Sequence, residues 1–157
     1  MARKKADNRW NDIDGGSAFV VPVTLLRHPN FIRLSPYALK LLMDTARQYS
    51  GFNNGYLCCS WALMKDVGWR SQDTVRLAML ELEHYQLLER TQQGGRNKPN
   101  LHALTWRRID SKPDHPLDVG ATAKPSDAWK AERPPFVRSG GVRKTGPKPR
   151  PKLRKAA

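Results

Sequence analysis

Residues 18–109 predict a mainly α fold with a small β-hairpin, an α+β class. It is set between a disordered arm (1–17) and a disordered, Pro-rich basic tail (110–157). Three observations carry this expectation. Ser35, Ser60 and Ser71 each stand directly before a run that suits a helix. Two strand-like runs, 87–91 and 101–106, flank a stretch rich in Gly, Asn and Pro. Beyond Ile109 the apolar pattern stops, and eight of the twelve prolines fall after it with few large aliphatics to form a core. A hydrophobic share of 39% and a mean hydropathy of −0.68 fit one modest core with unpacked flanks.

The arm ends in Asp14-Gly15-Gly16-Ser17 and lacks periodicity. Phe19-Val20-Val21-Pro22-Val23 is a short extended apolar piece, which Pro22 reduces to an edge strand or an irregular lead-in. Thr24 to Phe31 has room for one short helical turn, broken by Pro29. Ser35-Pro36 starts the first long helix: the serine oxygen accepts from an orphan N–H, and proline at N1 has no N–H to lose. Leu39, Leu42, Met43, Ala46 and Tyr49 form its apolar stripe. Asn53-Asn54-Gly55 stops the element, and Tyr56 to Cys59 is a short strand.

Ser60 caps a short helix, Trp61 to Val67, that ends at Gly68, where a left-handed residue is commonly required. Ser71 caps a third helix, about Gln72 to Tyr85, with Val75, Ala78, Met79 and Leu82 facing inward. Leu87 to Thr91, the loop Gln92 to Asn100, and Leu101 to Trp106 make a β-hairpin with a long basic tip. Trp61, Trp69 and Trp106 lie at element edges and read as packing residues, not as base-stacking platforms. In the tail, Ala128-Trp129-Lys130 and Pro135-Phe136-Val137 are apolar islands that dock either on the domain or on a partner.

The chain carries 28 Lys+Arg against 14 Asp+Glu, net +14. The excess is +1 over 1–16, +5 over 17–110 and +8 over 111–157. Such a balance favours a polyanionic partner, nucleic acid before an anionic membrane surface. No apolar run approaches the roughly 18–20 residues that cross a bilayer, so no membrane partner is expected. No apolar stretch follows the basic start Met1 to Lys5, which argues against a secretory signal and for a cytoplasmic, nucleoid-associated protein. Cys58 and Cys59 are adjacent and point to opposite faces of an extended segment, so no disulfide is expected. His28, His84, His102 and His115 lack zinc-site spacing, and neither a metal nor another cofactor is expected. There is no phosphate-cradling glycine loop, nucleophile elbow or HExxH, and Glu81 and Glu83, two apart on a helix, do not face each other. The expectation is therefore a binding protein, not an enzyme.

From Ser60 to Trp106 the order is helix, tight turn, helix, strand, basic loop, strand, which is a winged helix-turn-helix arrangement. The run Ser71-Gln72-Asp73-Thr74-Val75-Arg76-Leu77-Ala78, with Leu82-Glu83 and then Leu87-Leu88-Glu89-Arg90, resembles the second half of the winged helix in GntR-type transcription regulators. Gln93-Gly94-Gly95-Arg96-Asn97-Lys98-Pro99 stands where that family has its wing. Gln86 stands where the family has a glycine before the Leu-Leu strand, which implies another helix ending or strain. Upstream, Leu25 to Phe31, Arg33-Leu34-Ser35, Ala38 to Leu42 and the loop Asn53-Asn54-Gly55 are similar to the N-terminal winged-helix domain of plasmid and phage replication initiators. Together the resemblances cover about residues 19–106 and imply DNA binding.

On that basis the DNA-binding candidates are Arg70, Ser71, Gln72, Thr74, Arg76, Arg96, Asn97 and Lys98. Gln72 suits adenine and Arg76 guanine in the major groove. Ser71, Thr74 and Arg70 suit phosphates, and Ser71 also caps. Asp73 opposes phosphates and suits the helix dipole instead. Arg96 and Lys98 suit the minor groove or the backbone. Leu77 and Leu80 fall off the main stripe, either packing on the first helix or marking a homodimer patch. Arg143, Lys144, Lys148, Arg150, Lys152, Arg154 and Lys155 alternate with proline and are expected to contact phosphates without sequence preference. The function expected is double-stranded DNA binding, in transcriptional regulation or in replication initiation of a bacterial mobile element. The alternatives are an RNA- or ribosome-associated protein and a protein-interaction module with a solubilising tail.

Overall fold

The computed structural model describes residues 18–138. The arm expected over 1–17 and the last part of the tail, 139–157, lie outside the described residues. The fold is α+β, with five helices and a three-stranded antiparallel sheet. The elements run α1 (Val23–Leu26), α2 (Pro29–Ile32), α3 (Pro36–Ala46), β1 (Leu57–Cys58), α4 (Trp61–Asp66), α5 (Gln72–His84), β2 (Leu88–Gln92) and β3 (Leu101–Leu104). The sheet order is β1-β3-β2, with Leu57 opposite His102 and Leu88 opposite Leu104. No helix among the described residues is long and apolar enough to cross a membrane.

The lead-in does not pair into a sheet. Pro22 takes the N-cap position of α1, and Pro29, at the first position of α2, separates two short helices where one turn was expected. Ser35 caps α3 as read: its Oγ accepts from the Ala38 N–H at 3.2 Å. The buried face of α3 differs from the stripe counted in the sequence. Ala38, Leu41, Leu42, Thr45 and Ala46 are buried, while Leu39 and Met43 are 39% and 40% exposed. A buried carboxylate accompanies this rotation. Glu81, on the inner face of α5, accepts the Ser35 N–H at 2.6 Å and its hydroxyl at 2.8 Å, pinning the start of α3 to α5. Small Ala38 lies on the inward face, and Thr45 satisfies its own hydroxyl on the Leu41 carbonyl at 2.7 Å. Glu81 thus joins Val75, Ala78 and Leu82 as buried, whereas Met79 is only half-buried.

Gln86 does take the left-handed conformation, φ +56°. Its N–H reaches the Glu83 carbonyl (3.1 Å) and the Leu87 N–H reaches Leu82 (2.9 Å), the paired bonds of a Schellman ending. Leu82 and Leu87, both fully buried, supply the apolar contact that accompanies it. A side chain with a Cβ is strained there, so Gln86→Gly is expected to raise stability by about 0.5–1 kcal/mol, even after losing the Gln86 Nε2 bond to the Glu83 carbonyl. Urea denaturation checks this; a lower midpoint would contradict it.

The largest departure is the tail. Residues 110–138 contain little regular structure, only a 3₁₀ turn at Ala128–Lys130, yet they pack on the domain. The expectation of an unpacked segment beginning at 110 does not hold for this stretch. Asp118 donates its N–H to the Thr91 carbonyl (3.0 Å) and Asp127 to Thr105 (2.9 Å). Asn30, fully buried on α2, holds the strap: its Nδ2 donates to the Trp129 and Ala131 carbonyls, both at 2.8 Å, and its Oδ1 accepts from the Arg133 N–H at 2.9 Å. Trp129 is 3% exposed, and Phe136 is packed against the same core. Both apolar islands therefore dock on the domain. Proline-rich chain needs no secondary structure to be fixed when buried side chains satisfy its carbonyls.

Candidate nucleic-acid interface

The connection between α4 and α5 is set by Gly68 and Trp69. Gly68 adopts φ +89°, and the Trp69 N–H returns to the Met64 carbonyl at 3.2 Å. The Trp69 ring is then buried against α3, where its Nε1 donates to Asp44 Oδ2 (2.8 Å) and Lys40 Nζ lies 5.0 Å from the ring centroid. With Trp69 turned inward, Arg70 is turned out. Ser71 Oγ then accepts the Thr74 N–H at 3.3 Å and starts α5. Ser71, Gln72, Asp73 and Arg76 are exposed over the first turns, and Thr74 is half-buried. Arg76 Nε stands 3.7 Å from Asp73 Oδ1, an exposed pair that leaves the guanidinium available to another anion.

The loop joining β2 and β3 is narrow. Gly95 and Lys98 exchange backbone hydrogen bonds (2.9 and 3.2 Å), so Arg96 and Asn97 form the tip, with Asn97 at φ +63°. Gly94 is required by contact: a Cβ there would lie 2.7 Å from both the Lys98 oxygen and the Asn100 nitrogen, which are backbone atoms. The base of the loop is tied to α5 and to the strap. Arg90 donates to Glu83 Oε1 (2.9 Å) and to Gln93 Oε1 (2.9 Å), and Asp118 Oδ2 accepts the Gln93 N–H (2.6 Å). Burial alone would raise the Glu83 carboxyl; hydrogen bonds from His102 and Arg90 outweigh it and hold the group below its ordinary value.

Two hollows flank the N-terminal half of α5. One, about 400 Å³, lies between the helix and the loop; Gln72, Asp73, Arg76, Gln93, Lys98 and Asn100 are among its lining residues. The other, about 230 Å³, lies toward α3, with Tyr37, Lys40, Arg70, Ser71 and Thr74 on its walls. The structure thus brings Gln72, Arg76 and Lys98 to one side, and Arg70, Ser71 and Thr74 to the other. Arg96 and Asn97 stand at the loop tip outside both linings. The seven candidates from Arg143 to Lys155 lie outside the described residues. Leu77 and Leu80 are half-buried. Tyr37 and Lys40 reach the start of α5 through tertiary contacts that no local pattern states: Glu81 pins the start of α3, and the Trp69 ring is seated between Tyr37 and Lys40. Among the described residues no group of three or more His, Cys, Asp or Glu is placed to hold a metal ion.

The floor of the first hollow includes Cys59, whose Sγ lies 3.1 Å from Thr45 Oγ1. Burial pushes this thiol up to about 12 from 9.0. The folded chain therefore keeps a proton that the unfolded chain releases above pH 9. Stability present below that pH falls as pH rises toward 12, by at most ~1.4 kcal/mol per pH unit. Denaturation of wild type and Cys59→Ala at pH 8 and above pH 10 checks this, the wild type showing the steeper loss. An identical pH slope in both would show that Cys59 is not a neutral buried thiol.

No family model matches the chain, and comparison with curated proteins and with solved structures likewise gives no match.

Proposed function

We propose that this protein binds double-stranded DNA as a winged helix-turn-helix, with α5 in the major groove and the β2–β3 loop lying alongside. The observation that carries the reading is the shared hollow: Gln72 and Arg76 on the exposed start of α5 line it together with Lys98 of the loop. An α-helix of about 10–12 Å diameter fits a major groove about 12 Å wide. Side chains on the first turns of such a helix are the ones that reach base edges. Arg76 takes guanine, Gln72 takes adenine, and Lys98 with Arg96 neutralises backbone phosphates. Arg70, with Lys40 beside it, faces the phosphates on the opposite flank. The basic residues after 138 add affinity without selecting sequence.

Transcriptional regulation or replication initiation of a bacterial mobile element is the process proposed for such binding. A binding panel of duplex DNA, structured RNA and single strands, run at matched salt with the full chain, tests the class of ligand. Duplex DNA is expected to bind with a preference among sequences; tighter binding to structured RNA, or no sequence preference on duplexes, would reject the reading. Sequencing of captured genomic fragments then separates promoters from replication origins.

A further inference from the structure

Away from α5, a cleft of about 510 Å³ opens at the C-terminal end of α3, lined by Phe19, Arg47, Tyr49, Gly51 and Arg107 among others. It shares no lining residue with either hollow beside α5. Its volume falls within the range of ligand-binding clefts. The guanidinium carbon of Arg107 lies 5.0 Å from the centroid of the Tyr49 ring. That ring is itself fixed, its hydroxyl donating to the Gly51 carbonyl at 2.9 Å and Phe19 meeting it edge-on at 6.1 Å. Among the described residues, neither Arg47 nor Arg107 forms an ion pair, and no carboxylate lines the cleft. Arg47 also borders a neighbouring hollow that contains Asp66, without pairing to it. As the C-cap of α3, Arg47 owes part of its placement to the helix dipole. Arg107 does not, since it arrives from beyond β3. Gly51, which lines the cleft, adopts φ +101°, and Phe52, the next residue along the chain and outside the lining, is 76% exposed.

We propose that this cleft binds single-stranded nucleic acid, with Arg47 and Arg107 on backbone phosphates and Phe52 stacking a base. Cations without carboxylate partners in a cleft, with an exposed aromatic residue one step along the chain from its wall, suit a single strand: charge tracks the backbone and the ring takes the face of a neighbouring base. A duplex offers the phosphates but keeps its base faces inside the stack. The inference does not rest on the duplex reading, which uses other residues.

The test is fluorescence anisotropy of the full chain with a short labelled oligo(dT), and with a duplex for comparison, over a salt series. Phe52→Ala is expected to weaken oligo(dT) binding roughly five- to hundredfold while leaving duplex binding unchanged. Arg47→Ala with Arg107→Ala is expected to reduce the log-salt slope for oligo(dT) by about 1.4, two phosphates at ~0.7 each. Phe52 is at the surface, so its variant decides the matter even if the double arginine variant fails to fold. Unchanged oligo(dT) affinity in Phe52→Ala overturns the proposal. So does an equal loss for duplex and single strand, or full displacement of oligo(dT) by inorganic phosphate at concentrations that leave duplex bound. Duplex reading by α5 is tested separately, with Arg76→Ala, so failure of the one proposal is distinguishable from failure of the other.

Discussion

Trp129→Ala is expected to cost about 3–5 kcal/mol of folding stability, the range for emptying an aromatic-sized site in a core. The residue lies far past the last strand, in a segment whose composition promises no core, so the size of the effect is informative. Trp129 is 3% exposed, and His28 meets its ring edge-on at 5.3 Å. Its Nε1 is buried with no hydrogen-bond partner among the described residues, so replacing the indole by a phenyl ring removes no bond there. Trp129→Phe should therefore recover much of the loss. The strap also closes on Asn30, whose side chain would be left facing fewer fixed carbonyls if the tryptophan were gone. Urea denaturation measures both variants. A loss under 1 kcal/mol for Trp129→Ala would mean that the segment from 126 to 136 is not part of the folding unit.

The second large effect is expected at Asn54. Its side chain is fully buried where the chain leaves β3. Nδ2 donates to the carbonyls of Leu104 (3.0 Å), Arg107 (3.2 Å) and Arg108 (2.9 Å), and Oδ1 accepts the Leu104 N–H at 2.7 Å. One amide thus satisfies the end of a strand and the turn that follows. Asn54→Ala strands these groups at about 1–3 kcal/mol for each one left unmet, so a net loss of ~3 kcal/mol is expected once water recovers some of them. Asn54→Asp should do no better at neutral pH, because it sets a carboxylate against three carbonyl oxygens. Chemical denaturation of the two variants checks this, and a loss below about 1 kcal/mol for the alanine variant would show that the bonds are replaceable by water.

These two residues mark the boundary of what was legible in the chain. Ser35-Pro36, Ser71 and Gly68 act on backbone groups a few residues away, so their types alone locate helix starts and stops. The hairpin was legible for the same reason, since its loop residues make their own turn. The face of α3 was not, because Glu81, 46 residues from Ser35, is pinned to the start of that helix. The strap was hidden by its prolines: composition reports whether a segment builds a core of its own, not whether it completes another. At the candidate interface, Gln72 and Arg76 follow from the cap at Ser71, and Lys98 from the hairpin folding back beside α5. Tyr37 and Lys40 depend on the pinning of α3 by Glu81 and on where the Trp69 ring is buried, which no local pattern states.

The division of charge follows the same line. Of the net +14, the folded part supplies the few cations held at defined positions around α5, and these bear most directly on whether a duplex is read. The direct measurement is the affinity of wild type and Arg76→Ala for a duplex selected by the wild type, alongside scrambled duplexes at the same salt. Arg76→Ala is expected to weaken the selected duplex by about 1–3 kcal/mol and to leave the scrambled ones nearly unchanged. Equal affinity of both proteins for every duplex would contradict base reading by α5.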